Sequence, residues 1–179
     1  METSRLLLRP PLTDDADAVA AICNSEYVLR CNAAPVLTRE QVAADLEKGA
    51  AEQSILLLVE KESGQVIGAV FIGPDTLRYQ VDSLCLSYYL AQAHAGKGYM
   101  TEALEAVLAY LFRERKPDVI SARAFSVNAA SIGLLEKLGF VREGCLRRGV
   151  RGYGDVLHDD VLFSILKEEI GRASCRERV

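Results

Sequence analysis

The sequence predicts one α/β (α+β) domain built on a mixed, mostly antiparallel sheet of about seven strands, with helices on both faces. The chain has 179 residues, which corresponds to about one domain, and half of them are hydrophobic. Its hydrophobic pattern gives the order β-α-α-β-β-β-α-β-α-β-β with short connections. A run of antiparallel strands followed by a β-α-β-α-β section favours a mixed sheet.

The first elements are predicted from their boundaries. Residues 5–9 form a short apolar run closed by two prolines, which predicts a first strand. Acidic residues after Thr13 are expected to cap a helix that continues to about Ser25. A capping box at residues 38–41 opens a second helix, which Gly49 is expected to end.

The middle and last elements are predicted from their periodicity. A strand at residues 81–90 alternates strictly, so that Leu84, Leu86, Tyr88 and Leu90 share one face. Apolar residues between 100 and 112 recur at helical spacing. The remaining elements are strands at 55–59, 66–72, 119–125, 140–146 and 156–166 and a helix at 128–138.

Composition excludes several classes of function. Lys and Arg total 21 against 25 Asp and Glu, so a net charge of −4 disfavours nucleic-acid binding as the main role. We expect no membrane span and no secretory signal, because no apolar run is long enough and none follows the first residues. The five cysteines are scattered, so reduced thiols in the cytoplasm are expected, with Cys85 and Cys145 as buried small hydrophobes. Two histidines are too few for a histidine-rich metal site.

The turn at residues 94–99 is the main candidate for binding chemistry. Two glycines flank one lysine immediately before a helix, so successive N–H groups and the helix N-terminus can bind a phosphate or pyrophosphate. The Walker pattern is missing and the dinucleotide pattern fails at Thr101, which argues against both of those classes. Taken alone, two glycines around one residue before a helix are weak evidence, because such a pattern is more often only a tight turn.

The sequence resembles the GNAT superfamily of acyl-CoA-dependent N-acetyltransferases, and within it the branch of the ribosomal-protein alanine acetyltransferases RimJ and RimL. The resemblance spans about residues 3–166. The matching segments are Arg-Leu-Leu-Leu-Arg-Pro at 5–10, Gly-Lys-Gly-Tyr-Met-Thr-Glu-Ala-Leu at 96–104, Asn-Ala-Ala-Ser at 128–131, Leu-Glu-Lys-Leu-Gly-Phe at 135–140 and Glu-Gly at 143–144. One departure is Ala93, where the family's phosphate signature has Gln or Arg.

This resemblance implies a GNAT-like fold in which the strand at 81–90 carries a bulge and splays from the strand at 119–125, opening a V-shaped cleft. Acetyl-CoA would bind in the cleft as co-substrate, with its pantetheine arm on the edge of the first strand and its pyrophosphate on the turn. The implied binding residues are Leu84, Leu86, Ser87, Ala95, Gly96, Lys97, Gly98, Tyr99, Met100, Thr101, Asn128, Ser131 and Leu135.

The implied reaction is direct attack of an amine on the acetyl carbonyl. Many family members protonate the departing thiolate with a Tyr seven residues after the Asn, but that position is Leu135 here. The RimJ/RimL branch uses a Ser three residues after it, so Ser131 and Asn128 are the catalytic candidates. Without the resemblance, Asn128 is simply a helix N-cap and Ser131 an early-helix serine.

No general base is identified. Acidic and histidine side chains at 155–160 could face the cleft, although satisfying the nearby hairpin is the alternative we favour. Tyr88 and Tyr89 are candidates for the substrate cleft or the core. Glu102 is expected to interact with the helix dipole, and the arginines at 147, 148 and 151 to form a solvated loop or a contact for an acidic peptide.

The acceptor amine stays open at this point. The branch suggests the terminal α-amine of a protein or peptide; a small-molecule amine and a non-catalytic CoA-binding protein are the alternatives. A monomer or a homodimer is expected.

We assign the N-acetyltransferase domain to residues 1–169. Residues 170–179 resemble a translated sequencing adapter, and we expect them not to be native.

Overall fold

A seven-stranded sheet forms the centre of the protein, and the computed structural model describes residues 1–170. The strands are β1 (Leu6–Arg9), β2 (Ile55–Glu60), β3 (Val66–Pro74), β4 (Ser83–Leu90), β5 (Val119–Phe125), β6 (Val141–Arg151) and β7 (Leu157–Ile165). Their order across the sheet is β1-β2-β3-β4-β5-β7-β6, and among these strands only β4 and β5 pair in parallel. The predicted mixed, mostly antiparallel sheet is confirmed.

Helices cover both faces of the sheet, as predicted. They are α1 (Ala16–Cys23), α2 (Glu26–Leu29), α3 (Arg39–Ala51), α4 (Tyr99–Glu114) and α5 (Ala129–Lys137). One apolar cluster joins α1 and α3 to one face of β2 and β3, and a larger one packs α4 and α5 against the opposite face. Within residues 1–170 no helix is both long and apolar enough to cross a bilayer.

The start of α1 differs from the predicted cap. Residues Thr13–Asp15 form a 3₁₀ turn, and the Asp15 side chain makes no capping hydrogen bond to α1. Instead, Arg9 donates to both carboxylate oxygens of Asp15 at 2.7 and 2.8 Å, and the Leu12 N–H donates at 2.7 Å. Burial alone would raise the pKa of Asp15, but these bonds outweigh it and lower the pKa. The carboxylate therefore fastens the end of β1 instead of starting the helix.

The prediction that Gly49 ends the second helix is wrong. Helix α3 continues to Ala51, and Gly49 is a buried residue inside it. A Cβ atom at Gly49 would lie 2.2 Å from Cδ1 and 2.4 Å from Cγ1 of Ile55, the first residue of β2. The glycine is therefore explained by close helix–strand packing, whereas the capping box at Thr38 and Gln41 is confirmed.

The last hairpin is longer than predicted. Strand β6 reaches Arg151 instead of Leu146, so Arg147 and Arg148 lie in the strand. Its register to β7 shifts twice, which accommodates extra residues in β6. Cys145 is exposed, so the expected burial is wrong there; Cys85 is half-buried, and burial raises the pKa of its thiol. The expectation for residues 170–179 lies outside the described residues, apart from Ile170.

Substituting Gly49 tests the helix–strand contact. We expect Gly49→Ala to lower the free energy of unfolding by about 1 to 2 kcal/mol, because overpacking outweighs the gain in helix propensity. The measurement is urea unfolding followed by circular dichroism. Gly133→Ala is the matched control, since a Cβ there meets nothing within 4 Å in the middle of α5, and it should stabilise by about 0.5 to 1 kcal/mol. Equal effects of the two substitutions would contradict the steric explanation.

Candidate active site

The predicted divergence of two strands is present between β4 and β5. Their parallel pairing runs from Ser83 opposite Val119 to Leu86 opposite Ala122, and no pairing follows among the described residues. Both strands continue past this point, so a gap opens between them. The register of β4 with β3 is continuous from Leu84 to Leu90, so the expected bulge in β4 is not found between these residues.

In an antiparallel pair of strands, the N–H and C=O groups of successive residues point alternately toward the partner strand and away from it. This alternation shows which main-chain groups of β4 face the gap. The Ala91 N–H donates to Ile67 O at 2.7 Å, so odd-numbered residues of β4 face β3. The N–H and C=O groups of Tyr88 and Leu90 therefore face the gap, where β5 no longer pairs with them.

The three predicted binding residues of this strand differ in their surroundings. The main chains of Leu84 and Leu86 face β5 within the paired segment, and the two side chains pack in the larger apolar cluster. The main chain of Ser87 faces β3 opposite Phe71. The open edge of β4 thus lies at Tyr88, which the sequence offers as a candidate for the substrate cleft, and at Leu90, which it does not name as a binding residue.

The turn before α4 has the predicted geometry for binding an anion. Gly96 and Gly98 have φ angles of 73° and 80°, a conformation that favours glycine. The Ala95 N–H is bonded to Gln92 O. The next six N–H groups have no hydrogen-bond acceptor within residues 1–170, and they belong to Gly96, Lys97, Gly98, Tyr99, Met100 and Thr101. These donors and the partial positive charge of the α4 N-terminus suit a phosphate or pyrophosphate.

The N-terminal segment holds this turn in place through Glu102. The Glu102 carboxylate accepts hydrogen bonds from the Thr3 hydroxyl (2.5 Å), the Ser4 hydroxyl (2.9 Å) and both the main chain and side chain of Arg5 (2.8 and 2.7 Å). Arg5 also donates to Lys97 O at 2.9 Å. Burial alone would raise the pKa of Glu102, but the hydrogen bonds outweigh it and lower the pKa to about 2. Glu102 therefore has a structural role that its position in the helix did not reveal.

A second set of contacts supports the turn from the end of β2. The Tyr99 hydroxyl donates to Glu60 Oε1 at 2.5 Å, and His94 Nε2 lies 3.7 Å from the same oxygen. His94 Nδ1 is buried without a partner among the described residues. These contacts tie the turn and the first residue of α4 to the sheet.

The predicted catalytic pair lies at the start of α5. Asn128 caps this helix, and its Oδ1 accepts a hydrogen bond from the Ser131 N–H at 3.2 Å. The Ser131 hydroxyl lies 2.7 Å from the hydroxyl of Tyr88, which reaches it from β4. Leu135 is fully buried in the core. Burial raises the pKa of Tyr88 to about 12, against the opposing effect of the Ser131 hydrogen bond.

The acidic side chains near the last strand are engaged with neighbouring groups, as the favoured alternative predicts. Asp160 is buried and paired with Arg123. Asp159 accepts from the Arg148 N–H at 2.7 Å, and Asp155 pairs with Arg151 at 2.8 Å. The His158 ring stacks on Phe125 with centroids 4.7 Å apart. Each of these carboxylates therefore already serves the hairpin or a neighbouring strand.

Comparison with known proteins identifies the family. The family model of the GNAT acetyltransferase domain matches residues 5–141. The uncharacterized N-acetyltransferase p20 of Bacillus licheniformis is 28% identical over 93% of this chain and 96% of its own. The probable N-acetyltransferase YjcK of Bacillus subtilis is 38% identical over 52% of this chain, and the match spans about half of that protein (51%).

Solved structures share the fold. The ribosomal-protein-S5-alanine acetyltransferase of Vibrio fischeri superposes with a TM-score of 0.81 at 22% identity, covering 95% of this chain and 97% of that one. Mycobacterium smegmatis RimJ, solved in complex with CoA-disulfide, superposes with a TM-score of 0.78 at 23% identity, covering 97% and 91%.

The hydrogen bonds to Glu102 make stability depend on pH. Because its pKa is lowered in the folded chain to about 2, Glu102 stabilises the fold above its unfolded pKa, and this contribution is lost as the pH falls toward 2. We expect Glu102→Gln to lower the free energy of unfolding by about 1 to 2 kcal/mol at neutral pH, and the difference from wild type to shrink below about pH 4. Urea unfolding at several pH values measures this.

Glu105→Gln is the control for that prediction, because Glu105 is exposed on the same helix and makes no side-chain hydrogen bond within residues 1–170. It should leave stability nearly unchanged. A Glu102→Gln effect of the same size at every pH would contradict the proposed role of the carboxylate charge.

Proposed function

The chain belongs to the GNAT family of acetyl-CoA-dependent N-acetyltransferases, and on that premise we propose that its acceptor is the terminal α-amine of a protein or peptide. The site is assigned from the six unpaired N–H groups of residues 96–101 together with the open edge of β4. No other segment described above combines a helix N-terminus, two left-handed glycines and an unpaired strand edge.

Two parts of the chain fit acetyl-CoA. The N–H groups of residues 96–101 would hold the pyrophosphate, with exposed Lys97 adding positive charge. The outward N–H and C=O groups of Tyr88 and Leu90 would pair with the amides of the pantetheine arm, as in the addition of a strand to a sheet edge. When bound, acetyl-CoA supplies an acetyl group activated as a thioester.

The gap gives the acetyl group a main-chain donor. The Tyr88 N–H faces the gap without a partner from β5. In this position it would polarise the acetyl carbonyl and stabilise the negative charge that develops on its oxygen when the amine attacks.

Two proton transfers accompany the reaction. The attacking amine must lose a proton, and water is its acceptor in our proposal, because the nearby carboxylates of Asp155, Asp159 and Asp160 are engaged. The departing thiolate gains a proton from Ser131, which Asn128 holds at the first turn of α5.

The acceptor class is supported by the printed function of a structural relative. The Vibrio fischeri protein is a ribosomal-protein-S5-alanine acetyltransferase, and it covers nearly the whole of this chain. The segments 5–10 and 128–131 match the same branch in sequence. These likenesses favour a peptide amine over a small-molecule amine.

A panel of acceptors tests the proposed function. The purified protein is incubated with acetyl-CoA and peptides of varied first residue, the same peptides with a blocked N-terminus, polyamines and free amino acids. Thiol release and peptide mass are measured, and calorimetry reports acetyl-CoA binding. We expect acetylation of free N-termini only.

Each other outcome has a defined meaning. Preferential turnover of polyamines or amino acids would replace the proposed acceptor by a small molecule. Binding without turnover would identify a non-catalytic CoA-binding protein. Gly96→Val serves as the variant deficient in binding, because a branched side chain at this left-handed position distorts the turn.

Ser131→Ala tests the proton donor. We expect kcat to fall by about ten- to ten-thousand-fold, the range in which general-acid catalysis contributes, while acetyl-CoA affinity stays nearly unchanged. The cap of α5 should survive, because Asn128 binds the main-chain N–H of residue 131 and not its side chain. Steady-state kinetics and calorimetry measure the two quantities. Parallel loss of affinity and turnover would indicate a structural role instead.

A further inference from the structure

Tyr88 and Ser131 connect the two sides of the gap through their side chains. Their hydroxyl oxygens lie 2.7 Å apart, although the residues belong to β4 and α5. This is the only side-chain hydrogen bond of Tyr88 among the described residues. Its ring packs against the larger apolar cluster, which fixes the direction of the hydroxyl. Ser131 is therefore not an isolated hydroxyl but one member of a hydrogen-bonded pair.

The contact with Tyr88 bears on the weak acidity of the Ser131 hydroxyl, the proposed proton donor. An aliphatic hydroxyl holds its proton more tightly than a phenol does, whereas a thiol of the cysteine type has an ordinary pKa of about 8.5. A lone serine is thus a poor acid toward a thiolate. A serine that receives a second proton as it gives up its own never has to become a full alkoxide.

We infer that Tyr88 is the proton reservoir for Ser131, acting through the serine as a positioning and relay residue during departure of the CoA thiolate. The inference rests on the proposed function. It adds to the reaction a residue on β4 that lies 43 positions away from Ser131 in the sequence.

The amine nitrogen forms a bond to the acetyl carbon, the carbon–sulfur bond breaks, and its electron pair goes to sulfur. The Ser131 proton moves to sulfur while the Tyr88 proton moves to the Ser131 oxygen. The amine gives one proton to water, and the Tyr88 phenolate takes one proton back from water, so the enzyme returns to its starting state.

The surroundings of Tyr88 keep this proton in place between turnovers. Burial raises the pKa of the phenol to about 12, and the Ser131 hydrogen bond lowers it by less. No charged side chain of the described residues contributes to this shift. The phenol therefore stays protonated at neutral pH, so its proton is present at the start of each catalytic cycle.

The first test removes the hydroxyl groups singly and together. We expect Tyr88→Phe to lower kcat by about tenfold or more, with the acetyl-CoA dissociation constant unchanged. In the Tyr88→Phe background, Ser131→Ala should cost much less than it does alone, because the two hydroxyls act as one unit. Tyr110→Phe is the control, since this half-buried tyrosine of α4 makes no hydrogen bond within residues 1–170. Additive losses from the two substitutions would overturn the relay.

The second test keeps the side chain and changes only its acidity. A fluorotyrosine at position 88 retains the hydrogen bond and lowers the pKa of the phenol. Fluorine NMR of the ligand-free protein then titrates this phenol directly, and Ser131→Ala should raise its pKa because the hydrogen bond to the phenolate is lost. We expect the alkaline fall of kcat to begin at lower pH in the fluorinated enzyme and to follow the pKa seen by NMR.

The outcomes separate this inference from the proposed function. If the wild-type protein turns over none of the amines, the proposed function fails and the NMR titration still reports whether the two hydroxyls are paired. If wild type is active but fluorination leaves the alkaline fall of kcat unmoved, the relay is wrong and the proposed function stands. The fluorinated variant also decides the question if Tyr88→Phe does not fold.

Discussion

The loss of main-chain pairing between β4 and β5 is the constraint on which the rest of the site depends. A sheet normally satisfies its N–H and C=O groups by pairing neighbouring strands, and leaving them unpaired in the interior is costly. Here the pairing ends after Leu86 and Ala122, while both strands continue. The unpaired groups of Tyr88 and Leu90 lie at the sheet's centre, between its two halves. We propose this open edge as the binding surface, because the other edge of β4 is already paired to β3 from Leu84 to Leu90.

The same divergence brings side chains from different parts of the chain together. Helix α5 follows β5 directly, so its first turn lies beside the gap between β4 and β5. Tyr88 reaches this turn from β4 and meets Ser131. In the proposed reaction, Tyr88 thus supplies both a main-chain donor and a side-chain proton, with its N–H on the strand edge and its phenol beside Ser131 of α5.

Local patterns explain which features the sequence could predict. Strand alternation, the capping box at Thr38 and the glycines at 96 and 98 each depend on a few consecutive residues, and all are found in the structure. The role of Gly49 depends on a strand packed against its helix, so a local rule gave a helix end where there is none. The contact of Tyr88 with Ser131 depends on tertiary packing, which no spacing in the sequence encodes.

The N-terminal segment holds the turn before α4 in place. Ligand binding by that turn and the stability of the sheet edge therefore depend on some of the same contacts. Arg5 binds both the Glu102 carboxylate and the carbonyl of Lys97, so the segment leading into the edge strand β1 also holds the loop that we propose as the pyrophosphate site. Fraying of that edge would remove one of the two sets of contacts that hold the loop, leaving those of Tyr99 and His94 to Glu60. Release of bound acetyl-CoA and local opening of the sheet edge would therefore be linked. A ligand that makes the loop rigid would also suppress fraying at the edge of the sheet.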